Sequence, residues 1–156
     1  MTRTQIVKLF ERNYRVFQTQ ADGLSHEDSL LRLPVRGGSF NWMMGHIVAA
    51  RSSFMIALAI DPIWSREECV PYDPGAAPID DGTQACRLEK ILADLDSAQA
   101  ALRTYLDQLT DADLAAAHED TTLGQMLLDF AWQEAYYAGQ TEILRQLVGS
   151  HDQVIR

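Results

Sequence analysis

Apolar residues recur at helical spacing in four stretches of the chain. Ile6, Phe10, Tyr14, Phe17 and Ala21 are three or four residues apart, and Gly23 closes the run. After Gly37-Gly38 the pattern restarts at Phe40, Met43, Ile47, Ala50, Phe54 and Leu58, with Ser39 placed to cap the first turn. Asp61-Pro62 ends this second run, because a residue before proline is driven out of the helical region. The third run, Leu88, Ile91, Leu95, Ala98, Leu102, Tyr105 and Leu109, is the most regular and predicts a bundle seam starting near Thr83. The fourth starts near Thr121 or Thr122 with the stripe Leu123, Leu127, Phe130, Glu134, Tyr137, Thr141, Leu144 and Val148. The predicted helices are 6–20, 40–59, 83–109 and 122–148. Nothing alternates at period two, so no sheet is expected.

The connections differ in character. SHEDSLLRLP reads as a short extra turn ending at Pro34, and Thr110-Asp-Ala-Asp-Leu as a connector or single helical turn. Residues 61–80 carry Pro62, Pro71, Pro74, Gly75 and Pro78. That is longer than the usual two to eight residues between bundle helices. Such a segment is a lid, a binding loop, an interface element or a flexible excursion.

Composition narrows the class. The 156 residues are 47% hydrophobic, enough for one core, and the chain reads as a single domain over 1–156. A net charge of −9 argues against nucleic-acid binding, which needs clustered Lys and Arg. The charge is skewed: residues 1–51 carry seven basic and four acidic side chains, the remainder six and eighteen. Arg3, Lys8, Arg12 and Arg15 fall at near-helical spacing, either as a solvated face or as one meeting an acidic surface of another subunit. Cys69 and Cys86 do not make a disulfide framework or a zinc cluster. The N-terminus lacks the apolar centre of a secretory signal. The most apolar stretch, IVAARSSFMIALAI, is too short to span a bilayer and contains Arg51. A cytoplasmic protein with reduced thiols and no membrane association is expected.

The fourth helix holds the chemical anomaly. Gln133, Glu134, Tyr137 and Gln140 interrupt its inward stripe within two turns. A polar group turned into a core costs a few kcal/mol, roughly, unless it finds a partner. His46, one residue off the inward line of Ile47, is a candidate partner. The plainer readings are a satisfied core histidine, a solvent-facing Glu134 and a packed Tyr137. His26, His118 and His151 have no cysteine or carboxylate at ligand spacing, and no phosphate loop or nucleophile elbow is present. Trp42, Met43 and Met44 read as core rather than as a ligand box.

Ser39-Phe-Asn-Trp-Met-Met-Gly-His46-Ile resembles the second-helix motif of the DinB-like superfamily, in which a Trp precedes a Gly-His pair. Gln133-Glu-Ala-Tyr-Tyr137-Ala-Gly-Gln140 resembles the fourth-helix motif: His-Glu, two variable residues, His, one variable residue, Gly-Gln. The likeness extends over essentially the whole chain. It implies an all-α, DinB/YfiT-like four-helix bundle with up-down-down-up topology, the long crossover falling in 61–80, and a homodimer paired through bundle faces. Family members hold a divalent metal with three histidines, whose positions correspond here to His46, Gln133 and Tyr137. Two of the three imidazoles are replaced, while Glu134, Gly139 and Gln140 are kept, with Trp42 and Gln140 as supporting residues. An amide and a neutral phenol are poor ligands for nickel or zinc. No cofactor is therefore expected, and a weakly held nickel or zinc ion is the most this donor set allows. Two function classes follow. One is a bundle without the family's metal-dependent activity. The other is a small-molecule-binding enzyme, a thiol-dependent transferase or metal-assisted hydrolase, using His46 with Tyr137 or Glu134.

Overall fold

The computed structural model describes residues 2–33, 38–77, 79, 84–118, 120–150 and 154. Four long helices carry the fold: α1 (Arg3–Ala21), α3 (Phe40–Ala57), α5 (Leu88–Gln108) and α7 (Leu123–Arg145). Short helices α2 (His26–Ser29), α4 (Arg66–Cys69) and α6 (Asp111–Ala115) lie in the connections, and single 3-10 turns follow α4 and α7. The ends are set by side chains. Thr2, Ser25, Ser65 and Thr110 form reciprocal capping boxes, while Ser39 and Thr122 cap α3 and α7. Gly23, at φ +77°, supplies the left-handed residue after α1.

The relative directions of the helices follow from their cross-helix hydrogen bonds. Asn13 reaches the Ala131 carbonyl and Gln20 the Ala138 carbonyl, so α1 and α7 run parallel. Asn41 reaches the Cys86 carbonyl and Arg51 reaches Gln99, so α3 and α5 also run parallel. Arg3 meets Asp107 while Tyr14 meets Asp96, so α1 and α5 are antiparallel. His46–Tyr137 and Arg51–Glu134 set α3 antiparallel to α7. The result is an all-α bundle with up-down-down-up topology. Two parallel neighbours, α3 and α5, require a long crossover, and residues 61–80 are part of it.

The apolar stripes meet in two clusters. One gathers Phe17, Met44, Ile47, Tyr72, Leu95 and Ala138. The other gathers Phe10, Phe54, Met55, Leu102, Leu127 and Ala131. Between them, along each long helix, falls one polar residue: Asn13, Arg51, Gln99 and Glu134. The core is therefore split by a polar layer.

Three sequence expectations need correction. The third helix starts at Leu88, not near Thr83, and Arg87 at its N-cap supplies no side-chain bond. The cap comes from far along the chain: His26 Nδ1 accepts the Leu88 N–H at 3.2 Å. The second helix ends at Ala57, before Asp61-Pro62, where Ala59 takes a left-handed φ of +58°. A two-stranded antiparallel pair, Ala117–His118 with Thr121–Thr122, leads into α7 where no strand was expected. The extra turn expected before Pro34 is the short helix α2, His26–Ser29, while Pro34 itself, Thr83 and His151 lie outside the described residues. No helix is long and apolar enough to cross a membrane among the described residues.

Candidate functional site

Gly45 and His46 lie in the N-terminal half of α3, Gly45 against Tyr72 of the crossover and His46 against Tyr137 of α7. Glycine is needed at 45: a Cβ there would fall 2.2 Å from Cε1 of Tyr72. The gap lets the Tyr72 ring lie against the helix backbone. The main chain of Tyr72 then faces the imidazole, and His46 Nδ1 lies 2.8 Å from the Tyr72 carbonyl oxygen. A carbonyl only accepts, so Nδ1 carries the proton and Nε2 presents its lone pair. That lone pair accepts the Tyr137 hydroxyl at 2.9 Å. Gln133 Nε2 donates to the Tyr137 oxygen through a long 3.5 Å contact. The donors run in one direction: Gln133 to Tyr137, Tyr137 to His46, His46 to the Tyr72 backbone.

Rings fix the imidazole from other sides. Trp42 stacks on it at 5.1 Å and 3° between planes, and Tyr137 meets it edge-on at 4.8 Å. Trp42 is itself tied to the crossover by its Nε1–H, which donates to the Pro71 carbonyl. The described part of the crossover around Trp64 and Tyr72 is docked against the bundle. Trp64 and Tyr72 are buried in it, the Trp64 backbone N–H donates to Ser52 Oγ at 3.0 Å, and the Trp64 indole N–H donates to Asp94.

The predicted residues thus divide. His46, Gln133, Tyr137 and Trp42 come together. Gln140 is half-buried on α7 and joins none of them by a hydrogen bond. Glu134 is turned elsewhere. It neither faces solvent nor meets His46 in a hydrogen bond; it is buried, with Oε1 2.6 Å from Arg51 Nε and Oε2 3.3 Å from Arg51 Nη2. Asn13 Nδ2 adds a 3.4 Å bond to the same carboxylate, and Gln99 Oε1 accepts from Arg51 Nη1 at 2.9 Å. Arg51 has no exposed surface. Its only mark in the sequence is a cation inside an apolar helix. In the sequence that cation counts only against membrane insertion, and it is not paired with Glu134 there.

The donor set does not fit the metal that the resemblance implies. A three-histidine site needs imidazole nitrogens free to coordinate. Here one imidazole is present, with one nitrogen on a carbonyl and the other on a phenol. Metal-binding histidines hold their remote N–H on a carbonyl or carboxylate. His46 keeps that outer contact, and the Tyr137 hydroxyl stands on the side where an ion would bind. Among the described residues no three His, Cys, Asp or Glu side chains converge to hold a metal ion.

Beside His46 opens a cleft of about 390 Å³. Ala49, Ala50 and the stacked rings of Phe54 and Phe130, 4.1 Å apart, form its apolar part. Ser53, Asp73 and Gln133 bring polar atoms to it. Arg66 donates two hydrogen bonds to Asp73, and these hold its carboxyl below the usual carboxylate range.

An up-down-down-up bundle with a histidine of α3 facing α7 defines the class: the DinB-like helical bundles. The sequence pattern of the DinB superfamily matches residues 9–140, and the chain belongs to that superfamily. A solved structure, the conserved protein of a locus from Enterococcus faecalis, superposes with a TM-score of 0.74 at 18% identity, covering 96% of this chain and 99% of that one. That likeness speaks to the fold. No curated protein matches the chain significantly.

Proposed function

We propose that this chain is a DinB-superfamily bundle that works without the metal-dependent chemistry of three-histidine relatives. One observation carries the reading: both nitrogens of His46 are committed, Nδ1 to the Tyr72 carbonyl and Nε2 to the Tyr137 hydroxyl. Glu134, the carboxylate of the α7 motif, is held by Arg51. The centre is a hydrogen-bonded knot between α3, α7 and the crossover. Elemental analysis and metal titration test it. The purified protein is expected to hold less than one transition-metal ion per chain and to melt at the same temperature with or without nickel or zinc. The double variant Gln133→His/Tyr137→His places imidazoles at i and i+4 beside His46 and is expected to gain metal-dependent stability. Saturation a hundredfold above Kd is worth about 2.7 kcal/mol. Stoichiometric nickel or zinc in the unaltered protein overturns the reading.

A second reading has its own support in the cleft beside His46. Its volume, about 390 Å³, falls in the range of small-molecule sites, apolar with a few polar groups. In this reading the cleft takes a small ligand, with low-molecular-weight thiols the first class to screen. A thermal shift on thiol addition that disappears in Ala50→Trp, which fills the cleft, supports it; no shift across the panel counts against it.

A further inference from the structure

The helix α1 carries its cations differently from the rest of the chain. Elsewhere surface cations are matched: Arg66 meets Asp73, Arg87 meets Glu27 and Glu89, Lys90 meets Asp94, and Arg103 meets Asp107. Arg3, at the start of α1, turns to α5 and donates to the Asp107 carbonyl at 2.7 Å, which takes it out of the basic line expected from the sequence. Lys8 and Arg12 are exposed, and among the described residues no side chain or carbonyl accepts from either. The Arg15 side chain, 76% exposed, has only Glu11, at 3.8 Å. Glu11 is shared, because Arg103 of α5 donates to its other oxygen. In a chain with 22 Asp and Glu against 13 Lys and Arg, cations without partners are the exception.

These side chains line one hollow of about 500 Å³, where Lys8, Arg12, Arg15, Val16 and Thr19 of α1 are joined by Val154 of the C-terminal segment. Lys8 to Arg12 is an i, i+4 step and Arg12 to Arg15 an i, i+3 step, so three like charges share one helix face. Such neighbours repel and weaken the helix, and an anion seated among them relieves the repulsion. We propose that this hollow binds a small molecule bearing two or three linked phosphoryl groups. Guanidinium groups grip phosphate oxygens through paired N–H donors, and an ammonium adds a point charge. At about 1.5 Å per residue, Lys8 and Arg15 start about 10 Å apart along the helix. The cations therefore arrive from a line rather than from one point, which suits a short chain of anionic groups better than a single one.

The surroundings favour a small soluble ligand over larger polyanions. The volume falls in the range of small-molecule sites. Among the described residues no aromatic side chain lines the hollow, so recognition rests on the phosphates and not on a base ring. A long nucleic acid would run onto the rest of the chain, where residues 52–156 carry six basic and eighteen acidic side chains, 6 − 18 = −12. A lipid surface has nothing to hold here. The large apolar side chains that stand exposed among the described residues belong to other elements, and none is on α1. The lining shares no residue with the cleft beside His46, so the proposal does not depend on how that cleft is used.

Titration calorimetry with inorganic tripolyphosphate tests the proposal. One site per chain is expected, with pyrophosphate weaker and orthophosphate weaker still. Adenosine and guanosine triphosphates are expected to bind alike, since no ring reads the base. Affinity is expected to fall as salt rises through about 0.1 M, because exposed charges are screened over about 10 Å there. The variant Lys8→Gln/Arg12→Gln changes two exposed side chains and is expected to keep its far-UV spectrum while losing roughly tenfold or more in affinity, the worth of one charge-assisted hydrogen bond. Arg87→Gln removes a matched cation from another surface and is expected to bind as the unaltered chain does. Amide chemical shifts of the unaltered protein, which need no variant to fold, are expected to move along residues 8–19. Absence of tripolyphosphate binding overturns the proposal, and so does binding of anionic lipid vesicles alone. Orthophosphate binding as tight as tripolyphosphate overturns it as well. An equal loss in Arg87→Gln, or shifts centred away from α1, reduces the effect to unspecific charge attraction and overturns it too.

Discussion

Glu134 lies on the family's motif, so its removal separates a structural role from a catalytic one. Substituting Glu134→Ala deletes both oxygens that hold Arg51, at 2.6 and 3.3 Å, and one acceptor of Asn13. Arg51 has no solvent access, so its guanidinium is left as a buried cation with only the Gln99 bond and no counter-charge. Breaking a buried ion pair from one side costs about 3–5 kcal/mol. Domains of this size are stable by about 5–15 kcal/mol in total. At about 2–4 °C per kcal/mol for this length, the melting temperature is expected to fall by roughly 6–20 °C. Asn13 keeps its 2.7 Å bond to the Ala131 carbonyl, so little is added from that side. The companion variant Arg51→Met/Glu134→Leu removes both charges and is expected to regain most of the loss, because a buried pair replaced by apolar side chains is often neutral or better. Urea denaturation followed by circular dichroism at equal slope measures both. A loss below about 1 kcal/mol in Glu134→Ala, the range of exposed ion pairs, would refute the polar layer as a structural element. So would a double variant no more stable than the single one.

Gly45→Ala drives a methyl into the Tyr72 ring, 2.2 Å from Cε1, and is expected to cost about 1–3 kcal/mol, as overpacking does. Its signature is a shifted His46 imidazole resonance, since the same residue carries the carbonyl on Nδ1. Burial pushes the thiols of Cys69 and Cys86 up, with Asp73 adding to the first and Lys90 opposing it at the second. Both are expected to react slowly with a disulfide reagent at neutral pH and promptly in denaturant; equal rates would refute the burial argument. Burial raises Tyr72 in the same way. A group whose pKa is raised on folding stabilises below its unfolded value, so stability is expected to decline as pH climbs above the ordinary thiol range near about 8.5. Melting curves across that range check the sign.

Periodicity located the long helices because burial on one face leaves a mark every three or four residues. Ile6, Phe10 and Phe17, and Leu88, Ile91 and Leu95, are all buried. It failed at the start of α5 because the cap is not local: His26 is 62 residues from the N–H it accepts. It failed at the short strand pair because two residues per strand are too few for alternation to show. In the site, Tyr137 stood out as a polar group on the inward stripe and His46 as a candidate partner one residue off the line of Ile47. Tyr72 did not, since its contribution to His46 is a backbone carbonyl, which every residue has. Arg51 carried a side-chain signal, but a lone cation in an apolar run reads first as a bar to membrane insertion. Only the register of α3 against α7 turns it into the partner of Glu134.

The docking of the crossover has a spectroscopic consequence. The proton rests on Nδ1 of His46 only while the 3-10 turn Val70–Tyr72 is seated against α3. Lifting that turn, by withdrawing the Trp64 anchor or by a nick near Gly75, takes away the acceptor and lets the imidazole exchange tautomers. The ring nitrogens of one histidine are therefore a built-in gauge of a connection some 20 residues long. Their chemical shifts distinguish the seated chain from one whose helices persist but whose crossover has come free.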